Sequence, residues 1–345
     1  MLIRNAMAMI DGAFHEHTEV RVHNGRVQEI GRGLENGLYE DVVDIKGDYL
    51  LPGFVDVHIH AFRGHDTMQG EAAVRAMSRD LFHEGVAAFA PTTMSASAAD
   101  TCAAVEGVRR VMEQPECRGA QVLGAHMEAP FLQADKCGAQ RKEFFMKPDV
   151  NTFLTLCGGH PEVVKLITMA PELEGSEEFI RFATERGITV SIGHTSATAA
   201  QTHRAADWGA THVTHTFNAQ TPLHPDVIRL IVRAKGPRRA VMITDAMEAA
   251  GMPDGVYSLG GQRVMVKDGA ARLDNGTLAG SVLTMPMALG NMIRRFGIPP
   301  VDAVRMCTST PADSIGEPLA GRLIPGSPAP LTRWSTEWTF KGILA

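Results

Sequence analysis

Five consecutive residues hold a pattern that can do chemistry: Asp56-Val57-His58-Ile59-His60. Side chains at i and i+2 of a strand leave it on the same side. If this run is a strand, both imidazoles point together, and two neutral imidazoles make half of a metal site. Taken alone, the pair reads equally well as two surface histidines. Four further residues of ligand type close other apolar runs. Glu128 follows Val122-Leu123-Gly124-Ala125, and His194 follows Val190-Ser191-Ile192-Gly193. His215 ends Thr211-His212-Val213-Thr214, and Asp245 ends Ala240-Val241-Met242-Ile243-Thr244. Chance placement of all of them is hard to credit, so the set reads as a metal centre. Imidazole nitrogen and carboxylate oxygen suit a hard or borderline divalent ion. A carboxylate such as Glu128 can bridge two ions, and Asp245 can take a proton from water and deliver it to a leaving amine.

The chain must place these groups on a scaffold, and its length and texture say which. It has 345 residues, room for one α/β barrel of ~250 residues with a small accessory domain. Hydrophobic residues make up 44% and charged residues 21%, so a packed core is expected and disorder is not. Net charge is −6, with no clustered basic face of the kind nucleic acid needs. The short run Arg233, Lys235, Arg238 and Arg239 reads as a solvated loop. No stretch of apolar residues is long enough for a membrane span, and residues 1–11 lack a signal-peptide pattern. The five cysteines, Cys102, Cys117, Cys137, Cys157 and Cys307, form no Cys-x-x-Cys pair and read as free thiols. A cytoplasmic protein is expected, with no nucleic-acid and no membrane partner.

Residues 1–50 read as short strands, with an Asn24-Gly25 hairpin turn. After Gly53 apolar runs alternate with amphipathic helical stretches. Strands are expected at 54–60, 86–92, 122–128, 163–170, 188–194, 211–216 and 240–245. Helices are expected at 71–83, 100–114, 176–186, 197–208, 225–234 and 282–296. Recurring βα units imply parallel strands with right-handed crossovers, and a closed barrel leads. Barrel sites sit at the C-terminal ends of the strands, where all of the candidate residues fall. Residues 318–345 return to short apolar runs and are expected to complete the small β domain with residues 1–50, leaving 51–317 for the barrel. His65, His83, His126, His160, His203 and His212 read as structural or solvated rather than as ligands. His126 alternates with Glu128, which brings it beside the site.

Longer stretches carry a family resemblance. Residues 51–60, Leu51-Pro52-Gly53-Phe54-Val55-Asp56-Val57-His58-Ile59-His60, look like the first barrel strand of the amidohydrolase superfamily. Gly124-Ala125-His126-Met127-Glu128-Ala129-Pro130-Phe131 resembles the Gly-x-His-Leu-Glu-Gly-Pro-Phe segment of the N-acetylglucosamine-6-phosphate deacetylases. Cys137-Gly138-Ala139-Gln140, Gly193-His194-Thr195-Ser196, Thr214-His215-Thr216-Phe217-Asn218-Ala219, Thr244-Asp245-Ala246 and Leu278-Ala279-Gly280-Ser281 are similar to further blocks, in family order. The resemblance implies a TIM-like (β/α) barrel of the metal-dependent amidohydrolase type, with a small β-sandwich domain from both termini. It implies hydrolysis of the acetamide of N-acetylglucosamine 6-phosphate, or a close N-acetylhexosamine phosphate, to acetate and the amino-sugar phosphate. Glu128, His194 and His215 would hold the principal metal. His58 and His60, with Glu128 and Asp245, would hold a second. Asp245 would be the catalytic acid/base. Ala139, Asn218, Ala219, His224 and the backbone of Leu278, Ala279 and Gly280 would line the sugar site. One or two divalent ions are implied, zinc first, with iron as an alternative. A homodimer is implied as well.

The sequence departs from the family pattern. Ala129 stands where the family has Gly, and Gln220 where it has Met. Only 25 residues lie between Ala219 and Asp245. Family members carry roughly two dozen more there, close to one βα unit. That stretch supplies a strand and an Arg that grips the sugar phosphate. Three readings compete: a seven-stranded or open barrel, another segment in the gap, or a lost phosphate site and a different substrate. Two functional rivals remain. One is another amidohydrolase acting on an N-acyl or cyclic amide. The other is a sugar-binding relative with impaired turnover.

Overall fold

The computed structural model describes residues 1–116, 118–215 and 224–344. Both ends of the chain enter one seven-stranded sheet built from Leu2–Ile10, Ala13–His23, Arg26–Gly31, Val42–Asp44, Tyr49–Pro52, Leu331–Trp334 and Phe340–Leu344. The expected hairpin turn is there. Asn24 and Gly25 have φ of 48° and 68°, the left-handed pair that a two-residue I′ turn needs. The inward residues Ile3, Val20, Val22, Val27, Ile45, Leu50 and Leu331 form a core of their own. Tyr49–Pro52 pairs with Leu331–Trp334 antiparallel. Asp48, just before that strand, accepts from Arg333 Nε at 2.5 Å and Lys341 Nζ at 3.0 Å, tying the two chain ends together.

The middle of the chain is the barrel. Parallel strands run at Phe54–Ile59, Val86–Pro91, Gln121–Val122 with Ala125–Glu128, Val164–Met169, Thr189–Ile192 and His212–Val213. The third of these is interrupted at Leu123-Gly124. A Cβ on Gly124 would lie 2.4 Å from Lys165 Cγ, and its φ is +142°, so the break needs glycine. The bridge between Thr92 and His126 carries the sheet across the interruption. Aliphatic residues fill the inside: Val55, Val57, Ala88, Ala90, Leu123 and Leu166 pack together. The outer layer holds larger groups. Phe131, Phe153 and Phe179 are fully buried edge to face, with centroids 4.9 and 5.3 Å apart. Each such ring is worth about 1.5–3 kcal/mol of burial.

The helices follow the sequence reading closely. Glu71–His83, Ala98–Glu113, Ser176–Glu185, Ala199–Trp208 and Pro225–Lys235 are all present. Ser97 caps the second, and Thr198 with Gln201 forms a capping box on the fourth. The helix expected at 282–296 is shorter, Met285–Gly290, and continues as a wider turn in which Phe296 N donates to Asn291 O at 3.0 Å. No helix among the described residues is long and apolar enough to cross a membrane.

Two features correct the sequence reading. The run 240–245 is extended but is not a ladder strand. It meets the first barrel strand only at its end, where Asp245 N donates to His58 O at 2.9 Å and His60 N donates to Ala246 O at 3.0 Å. The physical reason lies on the other side. Among the described residues, His212–Val213 pairs with Thr189–Ile192 alone, and no strand stands between it and 240–246. Val213 is 57% exposed at that edge. The second correction is a three-stranded antiparallel sheet, Gly255–Leu259, Gln262–Lys267 and Ala270–Leu273, where no element was expected. Its turns were readable: Gly260-Gly261 and Asp268-Gly269 are hairpin dipeptides, and all four have positive φ.

Packing makes a prediction about the thiols. Cys157 and Cys307 are buried, and burial pushes the Cys157 thiol up to about 12 and Cys307 up as well. Cys102 and Cys137 are half-buried. The thiolate is the reactive form, so a raised pKa protects at pH 8. Iodoacetamide on the native chain at pH 8 is expected to label Cys102 and Cys137 well before Cys157 and Cys307. Mass spectrometry showing Cys157 labelled as fast as Cys137 would contradict this packing.

Candidate metal centre

Six side chains from five stretches of chain meet at the C-terminal ends of the barrel strands. His58 and His60 come from the end of Phe54–Ile59, and Glu128 ends its own strand. His194 stands two residues beyond Thr189–Ile192, His215 two beyond His212–Val213, and Asp245 in the extended run 240–246. The backbone is forced at these positions. His194, His215 and Asp245 have φ of 47°, 23° and 49°, and Ala129, next to Glu128, has 76°. Non-glycine residues rarely adopt such angles, and strain of this kind gathers at functional sites.

Glu128 is the centre. Its Oε1 lies 3.1 Å from Nε2 of His194 and 3.1 Å from Nε2 of His215. Its Oε2 lies 3.2 Å from Nε2 of His60 and 3.6 Å from Nε2 of His58. Asp245 Oδ1 faces the same two imidazoles, 3.4 Å from His60 and 3.5 Å from His58. The carboxylate is held in place by Gln140, whose Nε2 donates to Oε2 at 2.7 Å while its own Oε1 accepts from Ser95 N at 2.7 Å. His126 lies beneath, buried, with its ring 4.5 Å from that of His58 and Nε2 2.8 Å from Thr168 Oγ1.

The donor set fits a divalent ion. Nδ1 of His194 faces the Lys136 carbonyl at 2.8 Å, and Nδ1 of His60 faces the Thr92 carbonyl at 3.3 Å. A carbonyl can only accept, so Nδ1 carries the proton and Nε2 turns a lone pair inward. The Nε2 atoms of His194 and His215 are 3.1 Å apart, and those of His58 and His60 3.3 Å. Neutral imidazoles packed this way set lone pair against lone pair and against two carboxylates. A cation satisfies all of them together. Two groups of three qualify, His58, His60 and Asp245, and His58, Glu128 and His215.

Proton affinities record the same crowding. Burial opposes charge on His60, yet hydrogen bonds to Asp245 and Glu128 hold it up at about 10. His215 is likewise held at about 9 against burial by its bond to Glu128. Burial works against the Asp245 carboxylate, but the His60 bond and the neighbouring imidazoles keep it down at about 2. Glu128 also stays well below the usual range, despite burial, through the charges of His58 and His194. An ion entering here takes the place of protons.

Sequence reasoning missed several supports. Asp56 is fully buried, and burial raises it to about 7 although Thr244 Oγ1 donates to it at 2.5 Å. It fastens the first strand to the run that carries Asp245. Ser281 clamps that run from the other side, with N donating to Asp245 O at 2.7 Å and Oγ donating to Thr244 O at 2.6 Å. A lone acid in an otherwise apolar strand was the available signal for Asp56. Gln140 and Ser281 were visible only as members of family-like blocks.

The proposed sugar-site residues are scattered. Leu278, Ala279 and Gly280 run beside Asp245; a Cβ on Gly280 would sit 2.9 Å from Asp245 O. The Ala139 carbonyl accepts from Gln262 Nε2 at 2.6 Å, so the unexpected sheet covers this loop. His224 is exposed, caps Pro225–Lys235, and accepts from Asp226 N. Asn218 and Ala219 lie outside the described residues.

Comparison with known proteins settles the ancestry. The sequence profile of the amidohydrolase family matches residues 49–342. The chain belongs to the amidohydrolase family. This amidohydrolase is 32% identical over 317 positions to the N-acetylglucosamine-6-phosphate deacetylase of Bacillus subtilis, covering 83% of this chain and 80% of that one. It is 31% identical over 317 positions to the N-acetylgalactosamine-6-phosphate deacetylase of Escherichia coli O157:H7, with 84% of each chain covered. The crystal structure of N-acetylglucosamine-6-phosphate deacetylase from Pasteurella multocida matches with a TM-score of 0.91 at 25% identity, over 100% of this chain and 97% of that one. A mutant deacetylase from Mycobacterium smegmatis in complex with N-acetyl-D-glucosamine-6-phosphate matches with 0.90 at 27%, over 100% and 97%. The Bacillus alignment also measures the shortening. Its 317 positions use 83% of 345 residues, so about thirty positions face a gap in this amidohydrolase, close to one βα unit.

Two substitutions test the geometry. Gln140→Ala is expected to weaken divalent-metal affinity about 10–100-fold, as loss of a ligand's support does; chelator competition on folded protein reads it, and unchanged affinity would refute the support. Ala129→Gly relieves a left-handed backbone and is expected to raise stability by up to about 1 kcal/mol in urea unfolding. A lower midpoint would show that the alanine methyl packs usefully.

Proposed function

We propose that the chain hydrolyses the acetamide of an N-acetylhexosamine 6-phosphate, N-acetylglucosamine 6-phosphate first, to acetate and the free amino-sugar phosphate. The observation that carries this is Glu128: one buried carboxylate offers one oxygen to His194 and His215 and the other to His58 and His60. The reading gains support from relatives that deacetylate amino-sugar phosphates and align along most of the chain.

In this reading His194, His215 and Glu128 hold the principal ion, and His58 and His60 hold a second with Glu128 and Asp245. Zinc fits the nitrogen-rich donor set, and iron is the alternative. A bound divalent ion supplies an acidified water, its pKa lowered from 15.7 toward about 7, and polarises the acetyl carbonyl. Asp245 does the proton work. Its carboxylate, buried against the imidazoles and held below the usual range by them, is ionised at neutral pH and accepts the water's proton. It returns that proton to the sugar nitrogen as the C–N bond breaks and acetate leaves. Asp56, Thr244 and Ser281 keep Asp245 aimed while this happens. The backbone of Leu278–Gly280, with Ala139, Asn218, Ala219 and His224, lines the sugar. Glu128 also weighs against a cyclic amidase, which would present a carboxylated Lys as the bridge.

One observation favours a second reading. Among the described residues His212–Val213 pairs only with Thr189–Ile192, Val213 is exposed, and the chain after it is shorter than the family pattern in the stretch expected to carry the phosphate-gripping Arg. A sugar-binding relative with impaired turnover, or one with another N-acyl substrate, would follow from that loss.

Acetate release decides between them. Zinc-loaded chain is expected to turn over N-acetylglucosamine 6-phosphate faster than the unphosphorylated sugar. Asp245→Asn is expected to lower kcat about 10²–10⁴-fold, and chelation to abolish activity until zinc is restored. Binding of the sugar phosphate without any acetate release would defeat the deacetylase reading and leave the binding relative standing.

A further inference from the structure

A second polar cavity lies at the opposite end of the barrel. It has a volume of about 260 Å³ and opens beside Pro52, which precedes the first barrel strand. Its walls come from the turn between the first two strands, from the end of helix Pro300–Cys307 and the short helix Ser309–Ser314 that follows it, and from the segment that returns to the terminal sheet. Three guanidinium side chains reach it, Arg238, Arg305 and Arg322. Arg322 is already committed, with bonds to both oxygens of Asp313 at 2.6 and 2.7 Å. Arg238 and Arg305 have no ion pair among the described residues. The other carboxylate in the wall is Asp11, exposed at the turn.

The wall is shaped around Arg305. A Cβ on Gly12 would lie 1.8 Å from Arg305 Nη2, and Gly12 has φ of +80°. The left-handed backbone favours glycine there, and the missing side chain lets the Arg305 guanidinium lie against the turn. Two guanidiniums lining one recess, with no ion pair among the described residues, repel each other, and an anion between them removes the repulsion. Arginine presents a planar fork that matches the oxygens of phosphate, two at a time. Ser309 adds a hydroxyl to the same wall. The volume is below the roughly 300–1,000 Å³ of sites for larger ligands, so a nucleotide is too big and a small phosphorylated molecule fits.

We propose that this cavity is a phosphate-binding site, separate from the metal centre, that takes inorganic phosphate or the phosphate of a small phosphomonoester between Arg238 and Arg305. The proposal does not rest on the deacetylase reading. It also gives a role to part of the basic run at 233–239, which the sequence reading left to solvent.

Isothermal titration of the metal-loaded full chain tests it, with inorganic phosphate in one arm and glycerol 3-phosphate, a phosphomonoester that carries no amino sugar, in the other. Binding is expected in at least one arm, weakened at least tenfold in Arg305→Gln and in Arg238→Glu and retained in Asp245→Asn. Tighter binding of glycerol 3-phosphate names the phosphomonoester as the ligand; equal or tighter binding of inorganic phosphate names the free anion. Arg238 is exposed, so Arg238→Glu remains decisive even if Arg305→Gln unfolds. No binding to wild type up to about 10 mM of either probe, or binding unchanged in Arg238→Glu, overturns the proposal. Binding lost in Asp245→Asn and kept in Arg238→Glu places the phosphate at the metal centre and overturns it too.

Discussion

Everything at the active end depends on one carboxylate buried among four imidazoles. Glu128 is 2% exposed, and a bare carboxylate at that depth would be costly. The surroundings remove the cost by converging on it. His194 and His215 meet one oxygen, His58 and His60 the other, and Gln140 fixes its plane. The left-handed turns at His194, His215 and Asp245 are the strain that this convergence demands. The barrel supplies the rigidity, because strands ending side by side present their last residues to a common point. A flexible loop could not hold six polar groups at such distances against their mutual repulsion.

Much of this was legible before any coordinates. The six groups could be named because each closed an apolar run, and a run that ends in His, Glu or Asp is a local signal. The helices were legible for the same reason: caps such as Ser97 and Thr198 lie in the sequence beside the turns they stabilise. Long-range supports were not legible. Asp56 meets Thr244 across 188 residues, and Gln140 meets Ser95 across 45. No periodicity links such pairs. The run 240–245 looked like a strand because its composition is that of one, yet a strand also needs a neighbour, and composition does not say whether the neighbour exists. The sheet at 255–273 escaped for the opposite reason, since its hairpin dipeptides were present but its strands are short and lack a sustained apolar run.

The two ends of the barrel divide the work. The candidate metal centre sits where the strands finish. The other end is built from the terminal sheet and the turn at Asp11–Gly12, and it holds guanidiniums in place of imidazoles. The strand Phe54–Ile59 touches both ends, with Pro52 at one and His58 and His60 at the other. A rise of ~3.3 Å per residue makes the separation on the order of 20 Å.

The terminal sheet also sets the order of events during synthesis. Tyr49–Pro52 finds its antiparallel partner in Leu331–Trp334, and the Arg333–Asp48 contact spans 285 residues. The amino-terminal strands therefore leave the ribosome long before the strand that completes them. Until it arrives, the edge of Tyr49–Pro52 is open, and the whole barrel has to be made in the interval. Contacts so distant along the chain form late and slow the final step. The nascent protein thus carries an unfinished sheet edge, with backbone donors and acceptors unmatched, through most of its own translation.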